Sequence, residues 1–411
     1  GLAACKKEVT EDVVMNWNIG ADPATLDPSL NGASDGGDVI NQTFEGLVRE
    51  IDGVVYPGIA ESWETSADGL TVTFHLRESN WSDGTPLTAD DFVYSWLRGM
   101  DPNTASEYAW IWEYTNVKGA NEAVYDGAYD GCMVDGAAKD ATILEDDCAP
   151  ADDNDTAEYV PHYNSQALLD AVGISATDDL TFVVELNQPT SYFVSLVAFY
   201  HFLPVKQEAV EAGPSGTWAK DPEIYVSNGP FVLTSYEVGS GLTLEKNEEY
   251  WNMDVVGIDV IEAQFIDEAT TAFTAYNAGD LDFIPSVPTA EVANLILTSD
   301  EFHVFPLLGT YYYSFNMDKN DNQVNDGYAL DGLFSNAKLR NALARSLDRE
   351  AITEVLGAGQ VPAGGFVPPG FLDDDGNDFF ATAGTYGMVT DDGQYAAAVT
   401  MFAEAAAEMN M

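Results

Sequence analysis

WSDGTPLTADDFVYSW, residues 81–96, combines a turn, a helix start and three acidic residues within sixteen positions. Asp83-Gly84 is a turn dipeptide. Thr88 and Asp91 have the spacing of a capping box, with Asp in place of the usual Glu or Gln. The stretch therefore predicts a helix that begins immediately after Thr88.

The same stretch then gives the helix one apolar face, because aromatic and aliphatic side chains recur at helical spacing: Phe92, Val93 and Trp96. We predict a helix over residues 88–100. Acidic side chains in a first turn also meet the positive end of the helix dipole. We therefore interpret Asp83, Asp90 and Asp91 as residues that shape the backbone, and not as a catalytic or metal-binding cluster.

The flanking sequence predicts a mixture of strands and helices. LTVTFHLR, residues 70–77, alternates apolar and polar side chains and follows the turn Asp68-Gly69, as in a half-buried strand. Strands are also predicted after Asp178-Asp179 and on both sides of residues 239–241. Helical patterns cover 36–49, 166–172, 190–202, 268–278, 335–347 and 391–409. Without a regular βαβ alternation, this order indicates an α/β chain of several lobes.

Length and charge restrict the function. A chain of 411 residues predicts two or three domains, and 46% hydrophobic residues allow substantial cores. With 69 acidic against 15 basic residues, the formal net charge is −54, which excludes nucleic acid as a partner. Such an acidic surface is typical of a protein that stays in solution at high salt.

The N-terminal residues Leu2-Ala3-Ala4-Cys5 resemble a lipobox, where a signal peptide is cleaved before a cysteine that becomes lipidated. We predict an exported protein anchored to the membrane through Cys5. No stretch reaches the ~18 apolar residues of a membrane span. Cys132 and Cys148 would then form a disulfide across an acidic surface insert, residues 126–158.

Motifs for catalysis or metal binding are weak. Residues 32–36 match the G-x-S-x-G pattern of a nucleophile elbow around Ser34, but a turn-rich run and not an apolar strand precedes it. The four histidines offer no evident triad partner. The acidic runs 152–155 and 373–378 lack EF-hand spacing, so we interpret them as solvated loops. No metal and no cofactor is predicted.

A family resemblance spans nearly the whole chain. The sequence is similar to the solute-binding proteins of peptide ABC importers, family 5 of the bacterial extracellular solute-binding proteins, and most of all to the oligopeptide-binding proteins. Residues 81–96 carry the most specific match. Further blocks follow in family order: TLDPSL (25–30), FEGLVRE (44–50), PGIAESWETSADG (57–69), SNGPFVL (227–233), LEKNEEYW (244–251), GTYYYSFN (309–316) and LRNALARSLDRE (339–350).

The resemblance implies a two-lobed periplasmic-binding-protein-like α/β fold with a hinge and an extra domain inserted in the first lobe. Residues 1–12 would be the lipobox remnant and tether. The first lobe would comprise 13–45 and 180–265, and the extra domain 46–179. The second lobe, 266–411, would be incomplete, because the family's acidic residue for the ligand's amino terminus lies in a further stretch.

The resemblance also implies a receptor that captures short peptides in extended form, closes on them and delivers them to a membrane permease. Such a receptor would be a monomer and not an enzyme. The ligand-binding positions implied are Asn31, Gly32, Ala33, Tyr108, Asn228 and Gly229. Two alternatives remain open: the same fold binding another small solute, such as a nickel complex or an oligosaccharide, and a secreted hydrolase using Ser34.

Overall fold

The computed structural model describes residues 12–51, 53–125, 130–134, 137–138, 157–161, 166–213, 217–305, 307–315, 333–357, 359–371, 377–383 and 394–409. The predicted lipidation site Cys5 and the cysteine Cys148 lie outside these residues, and of Cys132 only the backbone is described. The chain divides into two compact units, Gly1–Ser286 and Val287–Met411.

The strands of the described residues all lie in the first unit. They are β1 (Val14–Asn18), β2 (Val48–Ile51), β3 (Val54–Pro57), β4 (Ala60–Thr65), β5 (Thr71–Leu76), β6 (Asp130–Val134), β7 (Ala137–Ala138), β8 (Ala157–Pro161), β9 (Ile174–Asp178), β10 (Thr181–Glu185), β11 (Phe231–Glu237), β12 (Gly241–Lys246) and β13 (Val260–Gln264).

The helices of the first unit are α1 (Ser34–Thr43), α2 (Ala89–Met100), α3 (Trp112–Thr115), α4 (Ala120–Tyr125), α5 (Gln166–Leu169), α6 (Phe193–Leu196), α7 (Gln207–Ala212) and α8 (Ala269–Ala278). The second unit contains α9 (Thr289–Thr298), α10 (Ala337–Arg345), α11 (Arg349–Leu356), α12 (Phe379–Ala383) and α13 (Tyr395–Glu408). The mixed α/β class is therefore confirmed.

Two four-stranded sheets organise the first unit. One has the order β1-β13-β12-β11, with β1 parallel to β13 and the other pairs antiparallel. The other is fully antiparallel, in the order β4-β5-β10-β9. In β5 the side chains of Val72, Phe74 and Leu76 are buried, which confirms the alternation in the sequence.

Helix α2 covers the antiparallel sheet through its apolar face. Trp96 is fully buried, and its ring centroid lies 4.9 Å from that of Phe182 on β10. The predicted cap is confirmed: the Asp91 carboxylate accepts hydrogen bonds from the Thr88 N–H at 2.7 Å and the Thr88 hydroxyl at 3.2 Å. Asp83 pairs with Lys206 and accepts from the Thr85 N–H, so it too stabilises local structure.

Three local predictions were wrong. The helix predicted over 36–49 ends at Thr43, because residues 48–51 pair with β3 as a strand. The helix predicted over 190–202 is broken at Phe199, whose backbone is extended, and the Phe202 carbonyl accepts from the Trp96 indole N–H at 2.9 Å. The insert 126–158 is not only loop, since β6 pairs with both β7 and β8 through backbone bonds that need no apolar periodicity.

Candidate functional site

A buried carboxylate fixes the loop that precedes α1. Asp27 is fully buried, and its two oxygens accept from the Arg98 guanidinium at 2.9 and 2.5 Å. The same carboxylate accepts from the Trp218 indole N–H at 3.1 Å. Breaking a buried pair by removing one partner costs about 3–5 kcal/mol, so this contact holds the loop rigidly.

Asn31, Gly32 and Ala33 follow this anchor as a short segment outside any helix or strand. The Asn31 N–H donates to the Asp27 carbonyl at 2.9 Å, and the Asn31 side-chain amide donates to the Ala33 carbonyl at 2.7 Å. Ala33 has extended backbone angles, φ −129° and ψ 156°. Among the described residues, the Gly32 N–H and C=O and the Ala33 N–H make no hydrogen bond. Because Gly32 and Ala33 are exposed, these groups are open to another backbone, as at a sheet edge.

Tyr108 lies beside this segment through Tyr200. The Tyr200 hydroxyl donates to the Asn31 carbonyl at 3.3 Å, and the rings of Tyr108 and Tyr200 pack edge to face with their centroids 5.9 Å apart. Burial and the contact with Tyr108 raise the pKa of Tyr200, so its hydroxyl stays protonated. The structure therefore brings the predicted residues Asn31, Gly32, Ala33 and Tyr108 into one place.

Glu107 covers Gly32. A methyl group placed on Gly32 would lie 1.9 Å from Oε2 of Glu107 and 2.9 Å from its carboxyl carbon. No backbone contact limits that methyl group, so the space at Gly32 is closed only by the end of a flexible side chain. Glu107 itself is exposed.

Asn228 and Gly229 lie at the other end of α1, a helix about 15 Å long by its rise of 1.5 Å per residue. The Asn228 amide oxygen accepts from the Glu45 N–H at 3.1 Å, and its nitrogen donates to the Glu45 carbonyl at 2.8 Å. A methyl group on Gly229 would lie 2.5 Å from the carbonyl carbon of Thr43. Both residues thus fix the chain after α1, and their role in ligand binding stays a prediction.

The surroundings of Ser34 are not those of a nucleophile elbow. Ser34 begins α1 after an extended residue, and no strand lies between β1 and α1, a part of the chain that is described throughout. His201 is buried and accepts from the Trp112 indole N–H at 3.1 Å. Gly36, the last residue of the motif, makes room for the Asn31 side chain, since a methyl group there would lie 2.2 Å from Asn31 Oδ1.

Within the described ranges, no group of three or more His, Cys, Asp or Glu side chains is arranged to hold a metal ion. The helices in that part of the chain are also too short or too polar to cross a membrane.

A family model described as "Bacterial extracellular solute-binding proteins, family 5 Middle" matches residues 54–411. The chain belongs to this family. The family resemblance of the sequence is thereby confirmed, and the fold class with it.

Several relatives of this family-5 chain carry names of peptide-binding proteins, and one of Escherichia coli, 30% identical over 359 residues, is named as a probable deoxycholate-binding periplasmic protein. The oligopeptide-binding protein OppA of Bacillus subtilis is 35% identical over 372 residues, which are 89% of this chain and 58% of that protein. The structure of the Escherichia coli murein tripeptide binding protein MppA matches with a TM-score of 0.73 at 29% identity, covering 96% of this chain and 67% of that one. The structure of Haemophilus influenzae OppA in complex with the peptide RPPGFSPFR matches with a TM-score of 0.69 at 33% identity, covering 87% and 61%.

The family-5 chain spans less than two thirds of the curated relatives it matches, for example 60% of the dipeptide-binding protein DppE of Bacillus subtilis.

Sequence reasoning missed two residues of the site. Tyr200 appeared only within the helix predicted over 190–202, and Glu107 was not considered. For Tyr200, the adjacent polar residue His201 in that segment was the available signal. The contact between Glu107 and Gly32 joins residues 75 positions apart, so no local pattern could have shown it.

Proposed function

We propose that the protein is the extracellular substrate-binding component of an ABC importer, which captures short peptides in extended form and delivers them to the permease. The observation that carries this proposal is the segment Asn31–Ala33, where the N–H and C=O of Gly32 and the N–H of Ala33 have no hydrogen-bond partner among the described residues and both residues are exposed. The protein acts as a monomeric receptor without a cofactor and does not catalyse a reaction.

Main-chain pairing explains how one site could take many peptides. Every peptide offers the same backbone N–H and C=O groups, so hydrogen bonds to Gly32 and Ala33 do not depend on the side chains of the ligand. If the ligand side chains lie in water-filled pockets, exchanging one for another changes the binding free energy only a little. The peptide bound to the related protein of Haemophilus influenzae supports this choice of ligand over a sugar or a nickel complex.

Calorimetry on the full-length protein tests the proposal. A panel of short peptides with free amino termini should bind, and the N-acetylated forms should bind more weakly. Mass spectrometry of ligand that purifies with the protein should identify peptides. The proposal fails if no peptide binds while an oligosaccharide or a nickel complex does.

The domain boundaries belong to the same proposal. The family resemblance implies a first lobe at 13–45 and 180–265, an extra domain at 46–179 and a second lobe from 266. The sheet that joins β1 to β11, β12 and β13 supports a first lobe built from two separate segments. Because β10 pairs with β5 and β9, the boundary near 180 fits better after β10. Limited proteolysis should therefore cut in the exposed run 187–189 and spare β10.

Export and anchoring are proposed from the N-terminal sequence. Residues 2–5 carry the lipobox pattern, so Cys5 should bear a diacylglyceryl group on the outer face of the cytoplasmic membrane. An intact mass from the native host with an unmodified N-terminus before Cys5 would contradict this. In the same oxidising compartment, Cys132 and Cys148 form the proposed disulfide. Both thiols reacting with an alkylating agent before reduction would contradict it.

A further inference from the structure

Glu107 places a negative charge directly on the segment proposed for main-chain pairing. Its Oε2 lies against Gly32, and its charge contributes to the raised pKa of Tyr200, whose hydroxyl binds the Asn31 carbonyl. The carboxylate therefore lies against the Gly32 backbone, and its field reaches the Tyr200 hydroxyl bound to the same segment.

In the part of the chain that the structure describes, no basic side chain pairs with this carboxylate. Among the described residues, the ion pairs do not include Glu107, and its side chain makes no hydrogen bond. With 15 basic against 69 acidic residues, the chain has few cations to offer. A ligand backbone that pairs with Gly32 must approach this carboxylate and displace some of its water. A neutral ligand side chain does not offset the free energy of removing this water. A cationic side chain replaces the lost water with a charge-assisted hydrogen bond to the carboxylate.

We propose that Glu107 selects peptides that carry a lysine or arginine side chain at the residue lying over Gly32. This inference rests on the proposed function. It differs from the general attraction of an acidic surface for basic peptides, because that attraction acts on the association rate, fades with salt and does not depend on where the charge lies in the peptide. Selection by Glu107 depends on one peptide position.

The experiment uses tetra-alanine peptides in which each position in turn carries lysine or its uncharged analogue norleucine. Their affinities are measured by calorimetry on the full-length protein at one salt concentration. The variants are Glu107→Gln and, as a matched control, Glu113→Gln, which removes an exposed carboxylate in α3 that does not touch Gly32. At one position the unaltered protein should bind the lysine peptide roughly fivefold more tightly than the norleucine peptide. Glu107→Gln should bring that ratio close to one, and Glu113→Gln should preserve it.

A charge reversal gives an independent measurement. Glu107→Lys should favour a glutamate peptide over its glutamine analogue at the same position. The inference is overturned if Glu107→Gln leaves the lysine-to-norleucine ratio unchanged at every position while peptides still bind, and the proposed function then stands. It is also overturned if Glu107→Gln strengthens the binding of all peptides equally, since the carboxylate would then only obstruct the site. If no peptide binds to the unaltered protein, the proposed function fails as well.

Discussion

At the scale of single residues, the two glycines of the segment 32–36 differ in what surrounds them. A methyl group on Gly36 would meet the Thr25 backbone carbonyl at 2.7 Å as well as Asn31, whereas on Gly32 it meets only the Glu107 side chain. We expect Gly36→Ala to lower the free energy of unfolding by about 1–3 kcal/mol, as overpacking does. Gly32→Val should leave it within about 0.5 kcal/mol, as at exposed positions, yet abolish peptide binding. Chemical denaturation and calorimetry on both variants test this, and tight peptide binding by Gly32→Val would contradict the backbone approach.

His201 gives the stability of the protein a pH dependence. Burial lowers the pKa of His201 from 6.5 to about 4, because the charged imidazolium is disfavoured there. Between these two values the unfolded chain binds more protons than the folded one, so the free energy of unfolding falls as the pH falls. His201→Gln keeps an acceptor for the Trp112 N–H without titrating. Between pH 7 and 4.5 the unaltered protein should lose on the order of 2–3 kcal/mol more than this variant. Parallel pH profiles in urea denaturation would contradict this role.

At the scale of elements, the first turn of α2 contains one acidic residue that caps the helix and one that is only exposed. The Asp91 carboxylate binds the Thr88 N–H and hydroxyl, while Asp90 in the same turn is exposed. We expect Asp91→Ala to lower the free energy of unfolding by about 1–2 kcal/mol, as the loss of a helix cap does. Asp90→Ala loses only an interaction with the helix dipole, roughly 0.3–1 kcal/mol. Equal effects of the two substitutions on the urea midpoint would show that the capping interaction is not what stabilises α2.

The elements that could be predicted are those whose signals are local. The alternation in β5 and the cap of α2 lie within a few residues of the structure they specify, and both predictions are confirmed. The strand β2 could not be predicted, because its conformation depends on pairing with β3. The break at Phe199 depends likewise on the indole of Trp96, about a hundred residues earlier in the chain.

Of the candidate site, the sequence indicated which residues to look at but not what surrounds each of them. The resemblance indicated Asn31, Gly32, Ala33 and Tyr108, and the structure places them together. The resemblance could not separate a glycine whose nearest neighbours are side-chain atoms, such as Gly32, from one that packs against backbone, as Gly229 does against Thr43. Only the three-dimensional contact between Gly32 and Glu107 reveals the charge at the site.

At the scale of the whole molecule, the net charge of −54 governs stability in salt. Repulsion among the 69 acidic side chains opposes the compact state, and added ions screen it, with a Debye length of about 3 Å at 1 M. The melting temperature should therefore rise steeply from low to molar NaCl. A flat or falling melting temperature over that range would refute adaptation to high salt.

The most direct test of the proposed function asks whether the backbone of a ligand pairs with the protein backbone at Gly32 and Ala33. Calorimetry would compare short alanine peptides with analogues in which one amide at a time is replaced by an ester, which removes a single N–H donor and keeps the side chains. The loss of one hydrogen bond that leaves its partner unsatisfied costs about 1–3 kcal/mol. The account predicts at least a roughly fivefold loss of affinity for one or more ester positions, and little change when alanine side chains are exchanged. Ester analogues that all bind as tightly as the peptides, with affinity set instead by the side chains, would contradict it.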